Sequence, residues 1–195
     1  MTDPVEAPTL SSFAPIEGER VAVLVLGSMP GVASLDAGAY YAHPRNAFWP
    51  ILMAWLNARA PDRAATLKIP YASRADRLRH AGIGVWDVLA HCHRPGSLDS
   101  AIVRASEVPN DIPALVARHP ELRRIVFNGR AAEQLFTRHI DLTDSRPGRE
   151  PPPERFSAPS TSPAMASLNL SAKHAAWCDA LGPPPEATGA ASAHG

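Results

Sequence analysis

The chain lacks the features that mark a membrane or a secreted protein. Its 195 residues include only two cysteines, Cys92 and Cys178, too few for a disulfide framework or for a four-cysteine iron–sulfur cluster held by one chain. No apolar run approaches the ~20 residues of a membrane span. The amino-terminal MTDPVEAP is acidic, whereas a secretory signal begins with basic residues. We therefore expect a cytoplasmic protein without a membrane partner.

Net charge is also absent, because 19 Lys and Arg balance 19 Asp and Glu. The charges are segregated, however: residues 43–130 hold 13 basic against seven acidic residues, residues 1–42 hold one against five, and residues 131–195 hold five against seven. Arg makes up 17 of the cations, and its guanidinium suits bidentate phosphate contacts. A genome that prefers Arg codons explains the same bias, so charge alone leaves a nucleic-acid partner open.

Large apolar residues are scarce at both ends of the chain. Residues 1–17 and 182–195 have too few of them to offset the entropy of ordering, so we predict disordered tails around a single domain at 18–181. Residues 141–154 contain three successive prolines. Such a run cannot continue a helix or a central strand, and it predicts an exposed loop.

Strand and helix patterns alternate between these limits. Apolar and β-branched runs predict strands at 21–26, 82–89, 123–128 and 155–160. Helical patterns cover 48–56, 73–80, 110–118, 129–139 and 171–181, the third with Asn110 as its N-cap. Because parallel strands need a crossover, this order predicts an α/β fold, a three-layer α/β/α sandwich around a four-stranded parallel sheet. Ligands of such sheets bind beyond the carboxyl ends of the strands.

Two unusual segments follow the first predicted strand. Gly27-Ser28-Met29-Pro30-Gly31 allows a sharp turn that presents backbone N–H groups, although an ordinary strand-to-loop turn is an equal alternative. Residues 40–49, YYAHPRNAFW, hold four aromatic residues in a chain with only 6%. Such a cluster can stack on a planar ligand while its polar groups orient a substrate or a water molecule. The alternative is that Phe48 and Trp49 only open a buried helix.

Polar residues stand at the ends of the other three predicted strands. Asp87 ends an apolar run, where an unpartnered carboxylate is costly, so it either caps backbone or faces a ligand. Asn128 is either an N-cap or a ligand contact. The loop from Pro159 to Met165 carries hydroxyls that can bind phosphate, or that simply cap the last helix.

Several familiar sites are missing. The sequence contains no G-x-G-x-x-G loop, no Walker A loop and no nucleophile elbow. His91-Cys92-His93 resembles part of a metal clip, but no second Cys or His pair stands at the required spacing. We therefore predict that it begins a loop, and we predict no metal site.

The segments GSMPG, YYAHPRNAFW, GVWDVL, FNG and PSTSPAMAS together resemble the uracil-DNA glycosylase superfamily and, more narrowly, its hypoxanthine-DNA glycosylase branch. The resemblance spans residues 21–181 in the same order. It implies a monofunctional enzyme, acting as a monomer and without a cofactor, that removes deaminated bases from DNA. The target nucleotide must leave the duplex, because the bond to be cut is unreachable in the stack.

The resemblance also implies roles for individual residues. Asn46 would position the attacking water with His43 in support, and Gly27, Ser28 and Met29 would form the wall beside the base. Phe48 would stack on the base, while Asp87 and Asn128 would read its edge. The residues implied to bind DNA are Arg45, Ser160, Thr161, Ser162 and Met165, the last as a wedge into the vacated stack.

The sequence departs from better-known superfamily members at two places. They carry an Asp in the first loop and a His in the last, whereas Ser28-Met29 and Thr161-Ser162 occupy those stretches here. Because both changes remove strong catalytic groups, two alternatives stay open. One is a glycosylase that prefers uracil or accepts many lesions. The other is a nucleotide or single-strand DNA binding module without catalysis.

Overall fold

A computed structural model describes residues 9–143, 145 and 151–184. The strands are β1 Thr9–Ser11, β2 Val23–Gly27, β3 Ile83–Asp87, β4 Leu89–His93, β5 Val108–Pro109, β6 Arg124–Asn128 and β7 Glu154–Ala158. The helices are α1 Val32–Ala37, α2 Phe48–Leu56, α3 Arg63–Leu67, α4 Tyr71–His80, α5 Ile112–Arg118, α6 Arg130–His139 and α7 Leu170–Leu181, with 3-10 turns at Asp99–Ala101 and Arg104–Ser106. None of the described helices has the length and apolar character of a membrane span.

The central sheet confirms the predicted fold class. Its four strands run in the order β3-β2-β6-β7, and every neighbouring pair is parallel. In β2, Val23 and Val25 pack in one core cluster with α2, α4 and α7, whereas Leu24 and Leu26 pack in a second cluster with α5 and α6. Because alternate side chains of a strand point to opposite faces, the sheet is covered by helices on both sides.

Helix α2 is buried more completely than its pattern of apolar residues predicts. Residues 48–55 are all buried, since the sheet, α7 and α4 surround the helix. Its first turn accommodates Pro50, which lacks only an N–H that would have no helical partner there.

A second, antiparallel sheet was not predicted. It consists of three strands in the order β1-β4-β5. The predicted strand 82–89 divides at Val88, because the chain leaves the parallel sheet there and continues as β4. Asn110 holds this break by donating from its amide to the carbonyl oxygens of Asp87 and Leu89, at 2.9 and 3.1 Å. Asn110 does not cap α5, because its side chain is used in these two bonds. The N-cap of α5 is Asp111. The tripeptide 91–93, predicted to begin a loop, lies on β4.

The prediction of a disordered tail is wrong for residues 9–17. Leu10, Phe13 and Ile16 each pack against a core cluster, and Ile16 forms an antiparallel bridge with Val85. Three apolar side chains are sufficient to order this segment, because the folded domain offers each of them an apolar surface to pack against. Residues 1–8 and 185–195 lie outside the described residues, as do 144 and 146–150 of the predicted loop 141–154. The described part of that loop contains no helix or strand before β7.

Candidate active site

A cavity of about 400 Å³ lies at the edge of the sheet where the parallel strands end. Its volume is within the range of small-molecule sites. Ten of the predicted site residues line it, namely Gly27, Ser28, Met29, His43, Asn46, Asp87, Asn128, Ser160, Thr161 and Ser162. Parallel strands bring these segments together because their carboxyl ends share one edge. The predicted residues that do not line this cavity are Arg45, Phe48 and Met165.

Asp87 forms a buried part of the cavity wall. The residue is only 2% exposed, and its Oδ2 accepts a hydrogen bond from the Ser12 hydroxyl at 2.8 Å. Its Oδ1 lies against Gly27, where an added Cβ would come within 2.3 Å of this oxygen. The missing side chain of Gly27 therefore leaves room for the Asp87 carboxylate at this position. Burial raises the pKa of Asp87 to about 7, although the Ser12 hydrogen bond opposes the increase.

Tyr40 and Tyr41 are the aromatic residues that line the cavity, and Phe48 does not line it. Phe48 is fully buried, and the Tyr41 ring stacks on it with 3.9 Å between centroids and 23° between planes. Tyr41 lines the cavity and has a φ of 55°, a left-handed conformation that is unfavourable for a bulky residue. Strained backbone of this kind tends to occur at functional sites. The aromatic cluster at 40–49 signalled this ring, but nothing in the pattern distinguished the covering residue from the covered one.

Asn46 and His43 lie in one tight turn beside the cavity. The Asn46 N–H donates to the His43 carbonyl at 2.8 Å, and the Asn46 Oδ1 accepts the N–H of Phe48 at 2.9 Å. Arg63 donates to the Asn46 carbonyl at 2.6 Å, which fixes the turn from outside. Among the described residues, neither the Asn46 NH₂ group nor His43 Nε2 has a hydrogen-bond partner. Both polar groups are therefore available to a ligand.

Asn128 and Thr161 join two sides of the cavity. The Asn128 Oδ1 accepts the Thr161 N–H, its Nδ2 donates to the Thr161 Oγ1, and both distances are 2.9 Å. The Thr161 side chain is buried, so its hydroxyl holds the loop in place instead of facing DNA. Among the described residues, the Ser160 and Ser162 hydroxyls accept backbone N–H groups and donate to no partner, so their O–H groups remain available to a ligand.

The loop after β2 is fixed by residues that the sequence patterns did not reveal. Arg94 is buried, and its guanidinium donates to the carbonyl oxygens of Met29 and Pro30. Asp99 lines the cavity and accepts the Ser28 hydroxyl at 2.7 Å, while burial raises the pKa of Asp99. Neither residue stands at the end of a predicted strand, where ligand contacts are expected in a parallel sheet.

A basic groove of about 200 Å³ adjoins the cavity through Pro163. Its cations are Arg45, Arg63 and Lys173, and no acidic residue lines it. Lys173 is 5% exposed and donates to the Met165 carbonyl at 2.7 Å, which anchors the loop that carries the Met165 side chain. Burial lowers the pKa of this ammonium group. Met165 itself is 38% exposed at the groove.

The chain is similar to several known proteins. The family model of the uracil DNA glycosylase superfamily matches residues 15–181. A hypoxanthine DNA glycosylase of Methanosarcina acetivorans is 36% identical over 120 residues, which cover 62% of this chain and 71% of that protein. One from Methanosarcina barkeri is 33% identical over 118 residues, covering 60% and 70%. A solution NMR structure from M. acetivorans, described as a candidate uracil DNA glycosylase, superposes with a TM-score of 0.65 at 29% identity, covering 90% of this chain and all of that one.

Proposed function

Because the chain belongs to the uracil DNA glycosylase superfamily, we propose that it excises deaminated bases from DNA, with hypoxanthine as the first candidate substrate. The enzyme is a hydrolase: water attacks C1′ of the deoxyribose, the bond between sugar and base breaks, and the base leaves with its electron pair and takes up the proton that the water loses. The products are a free base and an abasic site.

The observation that carries this proposal is the carboxylate of Asp87 in the cavity wall. Its Oδ2 accepts the Ser12 hydroxyl, whereas its Oδ1 lies beside Gly27, and both Asp87 and Gly27 line the cavity. Hypoxanthine and uracil both carry a ring N–H next to a carbonyl group, and an ionised carboxylate accepts a hydrogen bond from such a donor. Adenine and cytosine have a bare ring nitrogen at the equivalent position, so the same oxygen would repel them. This contact distinguishes hypoxanthine from its parent base adenine, and uracil from its parent base cytosine.

The reaction also needs an aligned water molecule and support for the departing base. The Asn46 amide and His43 stand in a fixed turn at the cavity, and we assign them the water. The loop of Gly27, Ser28 and Met29 forms the wall on the base side, where backbone N–H groups would stabilise the developing negative charge. Asn128 contributes its remaining amide N–H to the edge of the base.

Tyr41 takes the stacking role that the resemblance implied for Phe48. Its ring lines the cavity, and Phe48 supports it from the protein interior. A base lying on Tyr41 would gain about 1–3 kcal/mol from stacking. The stack of Phe48 under Tyr41 keeps the platform from tilting when the cavity is empty.

DNA would reach the cavity from the side of the basic groove. Arg45 and Arg63 face phosphates there, and Ser160 and Ser162 grip phosphates at the cavity rim. The exposed Met165 would enter the stack when the target nucleotide rotates out. Residues of a single chain line the cavity, which fits an enzyme that acts as a monomer.

The test is excision from duplexes that carry one inosine or one uracil, measured as abasic sites at fixed low salt, because phosphate contacts are strongly salt-dependent. We expect cleavage at inosine to exceed cleavage at uracil. The reverse order would make the chain a uracil-preferring enzyme. Tight binding of both duplexes without any abasic product would refute catalysis and identify a binding module instead.

A further inference from the structure

The amino-terminal segment reaches the active site from outside the parallel sheet. It is fixed at two points, where the Ser12 N–H donates to the Ala90 carbonyl at 2.8 Å and where Ile16 exchanges two backbone hydrogen bonds with Val85, at 2.9 and 2.8 Å. Ser12 forms the first of these points, directly after β1, which pairs with β4. The position of its side chain is therefore set by backbone pairing on both sides.

The Ser12 hydroxyl binds one of the two oxygens of the Asp87 carboxylate. It donates to Oδ2 at 2.8 Å, and within the part of the chain that the structure describes it is the one side chain that hydrogen-bonds this carboxylate. The other oxygen, Oδ1, lies beside Gly27, and Asp87 and Gly27 both line the cavity. Ser12 does not line the cavity, so any effect it has on a ligand passes through Asp87.

We propose that Ser12 is a positioning residue for base recognition, holding the Asp87 carboxylate with Oδ1 directed at the base. The inference rests on the proposed function, in which Asp87 accepts the ring N–H of a deaminated base. A carboxylate without this anchor rotates about its Cβ–Cγ bond, and the acceptor then leaves the plane of the bound base. The amino-terminal segment thus becomes part of the specificity site.

The Ser12 hydrogen bond also affects the pKa of Asp87. The titratable and charged groups that act on Asp87 are Tyr40 and Tyr41, Arg94 and Asp99, together with the Cys92 thiol. Burial raises the pKa of Asp87, the Asp99 charge raises it further, and the Ser12 hydrogen bond is the largest opposing contribution. Loss of that bond moves the pKa of Asp87 upward, and the acidic limb of any reaction that needs the ionised carboxylate moves with it.

The experiment compares Ser12→Ala with Ser11→Ala and Ser12→Thr. Ser11 is a matched control, because it is the neighbouring residue and its exposed hydroxyl bonds only His91. Excision of inosine is measured as kcat/KM from pH 5.5 to pH 9. We expect Ser12→Ala to lose about tenfold near pH 7, the magnitude of one hydrogen bond to a charged group. We also expect its acidic limb to lie at higher pH, and we expect Ser12→Thr and Ser11→Ala to follow the unmodified protein.

A second readout does not depend on activity. The Ser12 hydrogen bond favours ionised Asp87, so Ser12→Ala should lower the free energy of unfolding more at pH 8 than at pH 5. An active Ser12→Ala variant with an unmoved acidic limb would overturn the positioning role. So would a loss that is uniform over pH and equal for Ser11→Ala. Absence of excision by the unmodified protein would refute the proposed function, and the stability measurement would still decide whether Ser12 holds Asp87.

Discussion

Asp87 is expected to cost the protein stability at neutral and alkaline pH. The folded protein buries this carboxyl group, and burial raises its pKa from the ordinary value of 3.8 to about 7. Above pH 4 the unfolded chain gains the favourable hydration of an ionised carboxylate, whereas the folded protein keeps the proton until about pH 7. The contribution of Asp87 to stability is therefore fully present below about pH 4. It decreases as the pH rises to about 7 and is constant above that.

The magnitude follows from the two pKa values. About three pH units separate them, and each corresponds to about 1.4 kcal/mol, so the full effect is on the order of 4 kcal/mol. Asp87→Asn keeps the shape of the side chain and can still accept the Ser12 hydroxyl, but it carries no charge. Relative to the unmodified protein, the variant should become more stable by roughly 2–3 kcal/mol when the pH rises from 5 to 8.

The assay is urea unfolding of both proteins at pH 5 and pH 8. The contributions of other groups with altered pKa values are the same in both proteins and cancel in the comparison. Glu17 is one such group: burial raises its pKa, but hydrogen bonds from Arg118 and His119 outweigh burial and lower it. Asp36→Asn is the control, since Asp36 is exposed at the cavity rim and surface changes usually alter stability by less than about 0.5 kcal/mol. The reasoning is refuted if the difference between Asp87→Asn and the unmodified protein is the same at both pH values.

Two further outcomes are expected from the site geometry. Asn46→Ala should reduce single-turnover excision about 100-fold or more while leaving DNA affinity nearly unchanged, because an aligned water matters mainly in the transition state; a loss below about threefold would remove Asn46 from this role. Phe48→Ala should lower the free energy of unfolding by about 3–5 kcal/mol because it empties a core site, whereas Tyr41→Ala should mainly raise KM for lesion-containing DNA. Thermal unfolding measured beside kinetics distinguishes the two variants, and the opposite assignment of effects would show that Phe48 is the stacking ring.

Local patterns in the sequence are enough to predict the α/β architecture and the edge of the sheet at which the cavity lies. Apolar runs at 21–26 and 123–128 predict buried strands because they reflect local periodicity, and the observed β2 and β6 agree with them to within two residues. The rule that ligands bind at the carboxyl ends of parallel strands then selected Asp87, Asn128 and the loop after β2. These inferences require no knowledge of which distant residues touch.

How the site residues are held, and which of them line the cavity, depends on contacts between distant segments of the chain. Ser12 and Asp87 are 75 positions apart in the chain, and a hydrogen bond between them leaves no periodic trace in the sequence. The order of Tyr41 over Phe48 depends on a left-handed backbone at Tyr41, which no propensity favours. Thr161 faces inward because Asn128 binds it. Local patterns specify strands and helices, whereas contacts between distant segments specify the wall of the cavity, since only folding brings those segments together.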